Sequence, residues 1–414
     1  MKKILFTALA ATFLAAGCQK TEIINSSNPT GKQAMFFSTE IGKITKAEET
    51  TSPSDGEQKL QKQGFKLSAK YAFEDIYTTG TDQIEFNSYY DELANVAFQY
   101  NKTNNKYEIV PNQNYFWPGT GKDLVFFAIS TKQNGGKDDN GVDLPEVLIP
   151  NVTLTGEPDD NGKCESIEIE NFKIENYTVK APKYVTEGEN IGDQTGADDD
   201  LMIAEVVIRN QHENGGVVDL AFNHTLSKVE FVFTTNPETA EEYPVTVKSV
   251  TVKDVVIKAD LEVGVTKFTP AIKNAEGGET PAVRTSNNTY DWSPAEAAHE
   301  YVVAAADDAK ADYIINYEMN LTGVEGGQPY ATWLVIPQTL TNKKVYVTYT
   351  IGDGEGAPKQ VTSVWPLSGI DNQISAWQRN QYIKYTINLS PNLITFNPSI
   401  ENEWNSVQEV EHSN

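Results

Sequence analysis

The sequence predicts an all-β chain folded as β-sandwiches, and three observations carry that prediction. Short runs with a side-chain period of two recur along most of its length. Val, Ile, Thr and Tyr dominate them, while Asn-Gly pairs such as Asn140-Gly141 and Asn161-Gly162 punctuate them. Segments of helical period are few and short: Tyr89 to Ala97, and Pro294 to Ala309 with Ser293 as N-cap. At 414 residues with 39% apolar side chains, the chain is long enough for two or three such domains.

Taken in order, the chain opens with Met1-Lys2-Lys3 and an uncharged apolar run, Ile4 to Ala16, ending at Gly17-Cys18. That run is shorter than the ~20 residues a membrane-spanning helix needs, so residues 1–17 read as a signal peptide. The small residues before Cys18 resemble a bacterial lipobox, with Ala15 where Leu is preferred, which makes Cys18 a lipidation site. Gln19 after it favours the outer membrane by the usual sorting resemblance. Residues 18–46 form an arm whose Met35, Phe37, Thr39 and Ile41 alternate with Phe36, Ser38 and Glu40, as in a half-buried strand. A polar stretch, residues 44–56, follows it and contains Lys46 and Ala47.

Further strands are expected at Phe65–Tyr71, Tyr107–Ile109, Leu124–Ile129, Ile167–Ile169 and Met202–Ile208. A second group covers Val217–Phe222, Lys228–Phe233, Val245–Ile257, Tyr313–Met319, Trp333–Ile336, Val345–Ile351 and Tyr382–Leu389. Between the groups, Asn210 to Gly216 is polar and Gly-rich, so the expected domains are 47–214 and 215–414. Near the end, Ile394, Phe396, Pro398 and Ile400 alternate with polar residues. Residues 393–400 are thus either the last strand of the second domain or a strand available for donation to another subunit.

The chemistry is sparse. With 33 Lys+Arg against 58 Asp+Glu the formal charge is −25, which repels phosphate backbones and argues against nucleic acid as a partner. Only 2 Cys are present, Cys18 in the leader and Cys164, so no disulfide framework or thiolate metal site is expected. Of 4 His, His224 beside a strand reads as a packed side chain; no Gly-x-Ser-x-Gly elbow or His-Glu-x-x-His motif is present. Asp138 to Gly141 and Asp159 to Gly162 read as turns, as does Asp198-Asp199-Asp200. No enzyme, metal or cofactor is indicated. Trp117 in Tyr115-Phe116-Trp117-Pro118-Gly119 reads as a core corner, with stacking on a sugar ring as the alternative.

Several of these segments together resemble the fimbrillin family of type V pilus subunit precursors. They are the lipobox at Cys18, the strand Met35 to Ile41 followed by Thr45-Lys46-Ala47, and Trp117-Pro118-Gly119 leading into Leu124 to Ala128. Asp200 to Ala204, Leu220 to Val229, Ile336-Pro337-Gln338-Thr339-Leu340, Trp377 through Ile387 and a closing Trp404 continue the order. The resemblance implies two transthyretin-like β-sandwich domains in tandem and export as an outer-membrane lipoprotein. It also implies polymerisation with other pilus subunits, in a homo- or hetero-polymer, once proteolysis removes the first strand. The family's usual cleavage residue is Arg; here the matching position is Lys46, so the chain is either cut between Lys46 and Ala47 or stays lipid-anchored as a basal subunit. A surface glycan-binding lipoprotein using Trp117 or Trp365, with a host or glycan ligand, is the alternative. Cutting after Lys46 leaves 27 basic against 56 acidic residues, so the acidity belongs to the domains and not to the arm.

Overall fold

A computed structural model of the chain describes residues 21–23, 33–41, 55–72, 84–86, 93–110, 115–118, 123–133, 146–158, 164–179, 183–184, 194–195, 199–236, 241–269, 272–273, 279–280, 282–293, 310–315, 318–321, 328–352, 357–369, 373–390 and 393–401. Its elements begin with β1 (Thr21–Ile23), β2 (Phe36–Ile41), helix α1 (Asp55–Gln63), β3 (Phe65–Ala72), β4 (Ile84–Phe86), β5 (Val96–Asn101), β6 (Lys106–Val110) and β7 (Asp123–Ser130). There follow β8 (Thr153–Pro158), β9 (Cys164–Glu170), β10 (Lys173–Thr178), β11 (Met202–Ala204), β12 (Val207–Arg209), β13 (Val217–His224), β14 (Ser227–Thr234) and β15 (Val245–Val256). The last are β16 (Lys258–Gly264), β17 (Thr289–Ser293), β18 (Lys310–Ile315), β19 (Gln328–Val335), β20 (Lys344–Ile351), β21 (Lys359–Pro366), β22 (Tyr382–Ser390) and β23 (Leu393–Ile400).

These strands make two sandwiches, the architecture the alternating runs predict. The first is centred on a nine-stranded sheet of order β1-β2-β13-β11-β7-β3-β5-β6, with β12 also pairing β7. The sheet curls until β6 lies near β1. Strand β7 is buried on both faces. Its Leu124, Phe126 and Ala128 enter the core enclosed by the curl, and Val125, Phe127 and Ile129 enter a second core on the other face. That second core is closed by two three-stranded sheets, β4-β8-β9 and β10-β16-β17, which supply Leu154, Ile167, Ile174, Leu261 and Trp292. The second sandwich packs β19-β14-β22-β23 against β18-β15-β20-β21. At its centre Phe231 stacks between Trp333 and Tyr385, at ring-centroid distances of 5.2 and 5.0 Å.

Three sequence expectations change. Residues 210–216, expected as the joint between domains, connect β12 to β13 within the nine-stranded sheet, and the second sandwich's strands begin at Ser227. The segment reverses the chain because Asn214, Gly215 and Gly216 take φ of 49°, 65° and 83°, a tight turn and not a linker. The chain also returns: β15 belongs to the second sandwich, but β16 and β17 complete the first. Helical period at 89–97 gives no helix over its described part, since 93–95 turn into β5, whose Phe98 is fully buried. Residues 294–309, the other expected helix, lie outside the described residues. Helix α1 was hidden in a polar stretch because Leu60 is its one apolar residue; it ends at Gly64, φ 70°, where a Cβ would stand 2.2 Å from the Phe98 carbonyl oxygen.

The Ile336-Pro337-Gln338 segment closes the passage from β15 to β16. Gln338 is fully buried; its Oε1 accepts from the Val256 N–H at 3.0 Å, and its Nε2 donates to the carbonyls of Ile336 at 2.9 Å and Val256 at 3.4 Å. The side chain thus satisfies backbone groups at the point where the chain leaves one sheet for another. Gln338→Leu strands those groups in an apolar setting and should lower the unfolding free energy by ~2–5 kcal/mol, measured by urea denaturation. A loss below ~0.5 kcal/mol would contradict this role.

Candidate functional site

Residues 33–41 are gripped from two directions. Ala34 bridges Phe116; the Met35 N–H donates to the Tyr115 carbonyl at 3.0 Å, and the Trp117 N–H donates to the Gln33 carbonyl at 2.9 Å. Beyond this clamp, β2 runs parallel to β13 from Phe36 opposite Val217 to Ile41 opposite Phe222. Trp117, 1% exposed, anchors the corner by donating its indole N–H to the Gly216 carbonyl at 3.3 Å, while Gln33 Nε2 donates to the Gly215 carbonyl at 3.2 Å. Gly216 takes φ 83°, a backbone conformation that strains any L side chain, and a Cβ there would crowd Trp117 Nε1 at 3.2 Å, so glycine suits this corner.

Burial along the arm follows the predicted alternation only in part, since Ser38 on the outward-predicted face is buried as well. Met35, Phe37 and Ile41 are buried and Thr39 half-buried on one face, while Glu40 is exposed. Phe37 enters an aromatic pocket, edge-on to Phe98 at 5.4 Å and to Phe126 at 6.0 Å; Phe65 behind it contacts Phe98, Tyr107 and Phe222. Burial first, and then the charge of Glu57, pushes the Tyr107 phenol far above its ordinary pKa, so this wall is uncharged. On the opposite face Ser38 Oγ donates to the Asp219 carboxylate, which also accepts from Asn214 Nδ2 at 2.6 Å. Burying three such side chains contributes roughly 5–9 kcal/mol as an upper estimate.

Strand β1 pairs antiparallel with the outer edge of β2, Ile23 opposite Phe37, so β1 and β2 together fill the gap between β13 and β6. Within the arm 18–46 the sequence shows no strand before Met35, because the three residues of β1 are too few to display a period. Both strands precede Lys46. Beyond β2 the β13 edge pairs with no other strand of the described residues on that side. Cys18, Lys46 and Ala47 themselves lie outside the described residues.

The C-terminal strand β23 lies at the edge of the second sandwich, antiparallel to β22 with Phe396 opposite Ile387. Phe396 is buried, stacked on Trp365 at 5.5 Å and Tyr385 at 5.4 Å, and Pro398 is half-buried against Gly369. Ile394 and Ile400 are 39% and 52% exposed.

The remaining candidates fall into the cores. Trp117 is enclosed and presents no ring to a sugar, and one face of the half-buried Trp365 is covered by Phe396. His224 is sealed from solvent, its Nδ1 2.8 Å from Asp200 Oδ2. The Asp198-Asp199-Asp200 run, expected as a solvated turn, has its described residues turned inward. Asp199 accepts from the Thr131 and Tyr177 hydroxyls, the Lys132 N–H and Gln133 Nε2, and burial raises its pKa against those bonds. The four donors come from just two segments, 131–133 and Tyr177, both distant from Asp199 in sequence, which no local pattern announces. Among the described residues no cluster of three His, Cys, Asp or Glu side chains has the geometry to hold a metal.

A sequence model described as Fimbrillin-like matches residues 168–404. No curated protein matches the chain. Among solved structures, a fimbrial protein from Bacteroides vulgatus is 14% identical, with 83% of this chain and 93% of that one covered at a TM-score of 0.41. A candidate cell adhesion protein from Bacteroides ovatus is 12% identical, covering 92% and 100% at 0.42. One from Bacteroides uniformis is 15% identical, covering 84% and 95% at 0.36.

The arm's contribution is measurable. Phe37→Ala should destabilise the intact chain by ~3–5 kcal/mol in urea unfolding, the cost of a large cavity between Phe98 and Phe126. Glu40→Ala, on the exposed side of the same strand, should stay within ~0.5 kcal/mol. Equal effects would show that the arm is not docked through its apolar face.

Proposed function

The chain belongs to the fimbrillin-like family, a family of fimbrial proteins of the cell surface, and from that premise we propose a structural subunit that polymerises by protease-triggered strand exchange. It is exported with residues 1–17 as signal peptide and lipidated at Cys18, which holds it at the outer membrane until cleavage between Lys46 and Ala47. The single observation that carries this reading is the arm. Met35, Phe37 and Ile41 are buried where the 115–117 segment and β13 hold the arm, and the polar stretch behind them carries the matching basic residue.

Removing β1 and β2 creates an acceptor groove floored by Phe98, Phe126 and Phe222 and edged by β13. A strand from another pilus subunit fills it by β-augmentation: backbone hydrogen bonds supply affinity, and the alternating pockets supply specificity. Strand β23, near the C-terminus and at a sheet edge, is the segment we assign to donation.

Trypsin treatment of the purified precursor, followed by electrophoresis in SDS without boiling, should give a ladder of oligomers and a new N-terminus at Ala47. Persistence of a cleaved monomer would overturn strand exchange. Cys18→Ala should abolish incorporation of labelled palmitate and move the protein out of the membrane fraction.

The cleaved subunit carries a formal charge of −29. Such subunits repel one another until a strand is exchanged, so assembly should speed up as salt rises to ~0.15 M and the screening length falls to ~8 Å. A rate that falls with salt would contradict this electrostatic barrier.

A further inference from the structure

One sheet of the second sandwich inverts the charge of the chain. The strands of β18-β15-β20-β21 carry Lys248, Lys253, Lys310, Lys344 and Lys359 against Asp254 and Asp312, in a chain with 33 basic and 58 acidic residues. Val247, Val252, Val345 and Val347 point into the core, so alternate residues of the same strands form the outer face. On that face Lys253, Lys344, Thr362 and Val364 are exposed, and Tyr346 and Thr348 half-buried. We propose that this face binds an anionic polysaccharide, one bearing carboxylate or sulfate groups. The inference does not depend on strand exchange.

The cations are placed side by side. Val252 pairs with Val345, both buried, so Lys253 and Lys344 follow on neighbouring strands and on the outward side. Like charges opposite one another weaken a sheet, and an anion lying across them relieves that repulsion. Lys253 Nζ stands 4.7 Å from the Tyr346 ring centroid, which holds the ammonium group in place and lessens the freedom it loses on binding. Lys343 Nζ donates to the Asp254 carbonyl at the same corner, while Lys248 is paired with Glu318 at 2.7 Å. Beside the lysines runs a strip of hydroxyls. Thr348 faces Thr362 across β20 and β21 with their Oγ1 atoms 3.0 Å apart, and the pairs Tyr346–Val364 and Thr350–Gln360 flank them. Each hydroxyl both donates and accepts, as the hydroxyls of a sugar require, and the adjacent lysines meet its charge.

The same composition argues against other occupants. The core of a protein interface is rich in aromatic and apolar side chains and poor in Lys, whereas Val364 is the one large apolar side chain exposed on this face among the described residues. No Arg lies in the four strands to grip phosphates bidentately. The net charge of −25 opposes a polyanion at long range. At ~0.15 M salt the screening length is ~8 Å, so lysines in contact outweigh carboxylates elsewhere.

The test measures binding of the purified intact chain to immobilised heparin, a sulfated probe, and polygalacturonate, a carboxylated one, with dextran as the neutral control at ~0.15 M salt. At least one polyanion should bind, which distinguishes sulfate from carboxylate recognition, and dextran should not. Lys253→Gln/Lys344→Gln should weaken binding about tenfold or more, while Lys253→Arg/Lys344→Arg should retain it. Lys102→Gln/Lys106→Gln, which removes the same charge at the β5–β6 turn, should leave it unchanged. Thr348→Val/Thr362→Val alters no charge and should weaken it about threefold or more. An unchanged urea midpoint shows that each variant is folded. Binding to neither polyanion, or equal losses from the two lysine-to-glutamine pairs, would overturn the site. Duplex DNA bound as tightly as the better polyanion, or no effect of the threonine variant, would make the face a general cation exchanger and overturn the polysaccharide assignment. Self-association of the intact chain that Lys253→Gln/Lys344→Gln abolishes would give the face to a second copy and overturn it as well.

Discussion

Six residues, Phe36–Ile41, run parallel to a strand 181 positions later in the chain, and the first sandwich is arranged around that pairing. The nine-stranded sheet curls so far that its two ends approach each other, and the gap is filled by β1 and β2 alone. The remaining wall of the enclosed core comes from strands held by their own neighbours. β2 is therefore the piece that completes the sheet and also the piece whose covalent connection to the body runs through a polar, lysine-bearing stretch.

Such a piece is removable only if the rest stands without it. Met35, Phe37 and Ile41 belong to one of three cores; the core on the other face of the nine-stranded sheet and the core of the second sandwich contain no arm residue. The excursion of β16 and β17 into the first sandwich, fixed where Gln338 bonds Val256, further ties the two sandwiches by chain connectivity. Loss of the arm exposes one row of backbone groups and one lined groove while leaving most of the apolar burial in place. On the proposed reading, the cleaved chain would then be a body with an unpaired strand edge, the kind of state that a donated strand stabilises.

Much of this was legible in the sequence, and the parts that were not share a physical reason. The period of two at 35–41 identified most of the inward residues of the arm, and Leu124–Ile129, expected as a strand, is apolar on both faces, as a strand between two cores must be. His224 and Trp117 were readable as packed side chains because nothing near them in sequence offered a reaction partner or an exposed face. What the pattern did not reveal depends on contacts between distant segments: the bonds on Asp199, the return of β16 to the first sandwich, and the pairing of β13 with β2 instead of with the second sandwich. Short elements with little apolar content, β1 and α1, leave no period to read. The C-terminal strand was visible as an alternation, but its inward residues are unequally buried where it lies: Phe396 is buried, Pro398 half-buried, and Ile394 and Ile400 exposed.

The central claim is that the arm covers the edge of β13 and that another strand later replaces it. Hydrogen exchange at the amides of residues 217–222, followed by mass spectrometry in the intact chain, the freshly cleaved monomer and the polymer, tests it most directly. The account predicts strong protection in the intact chain, rapid exchange after cleavage and restored protection in the polymer. Amides that stay protected in the cleaved monomer would contradict it.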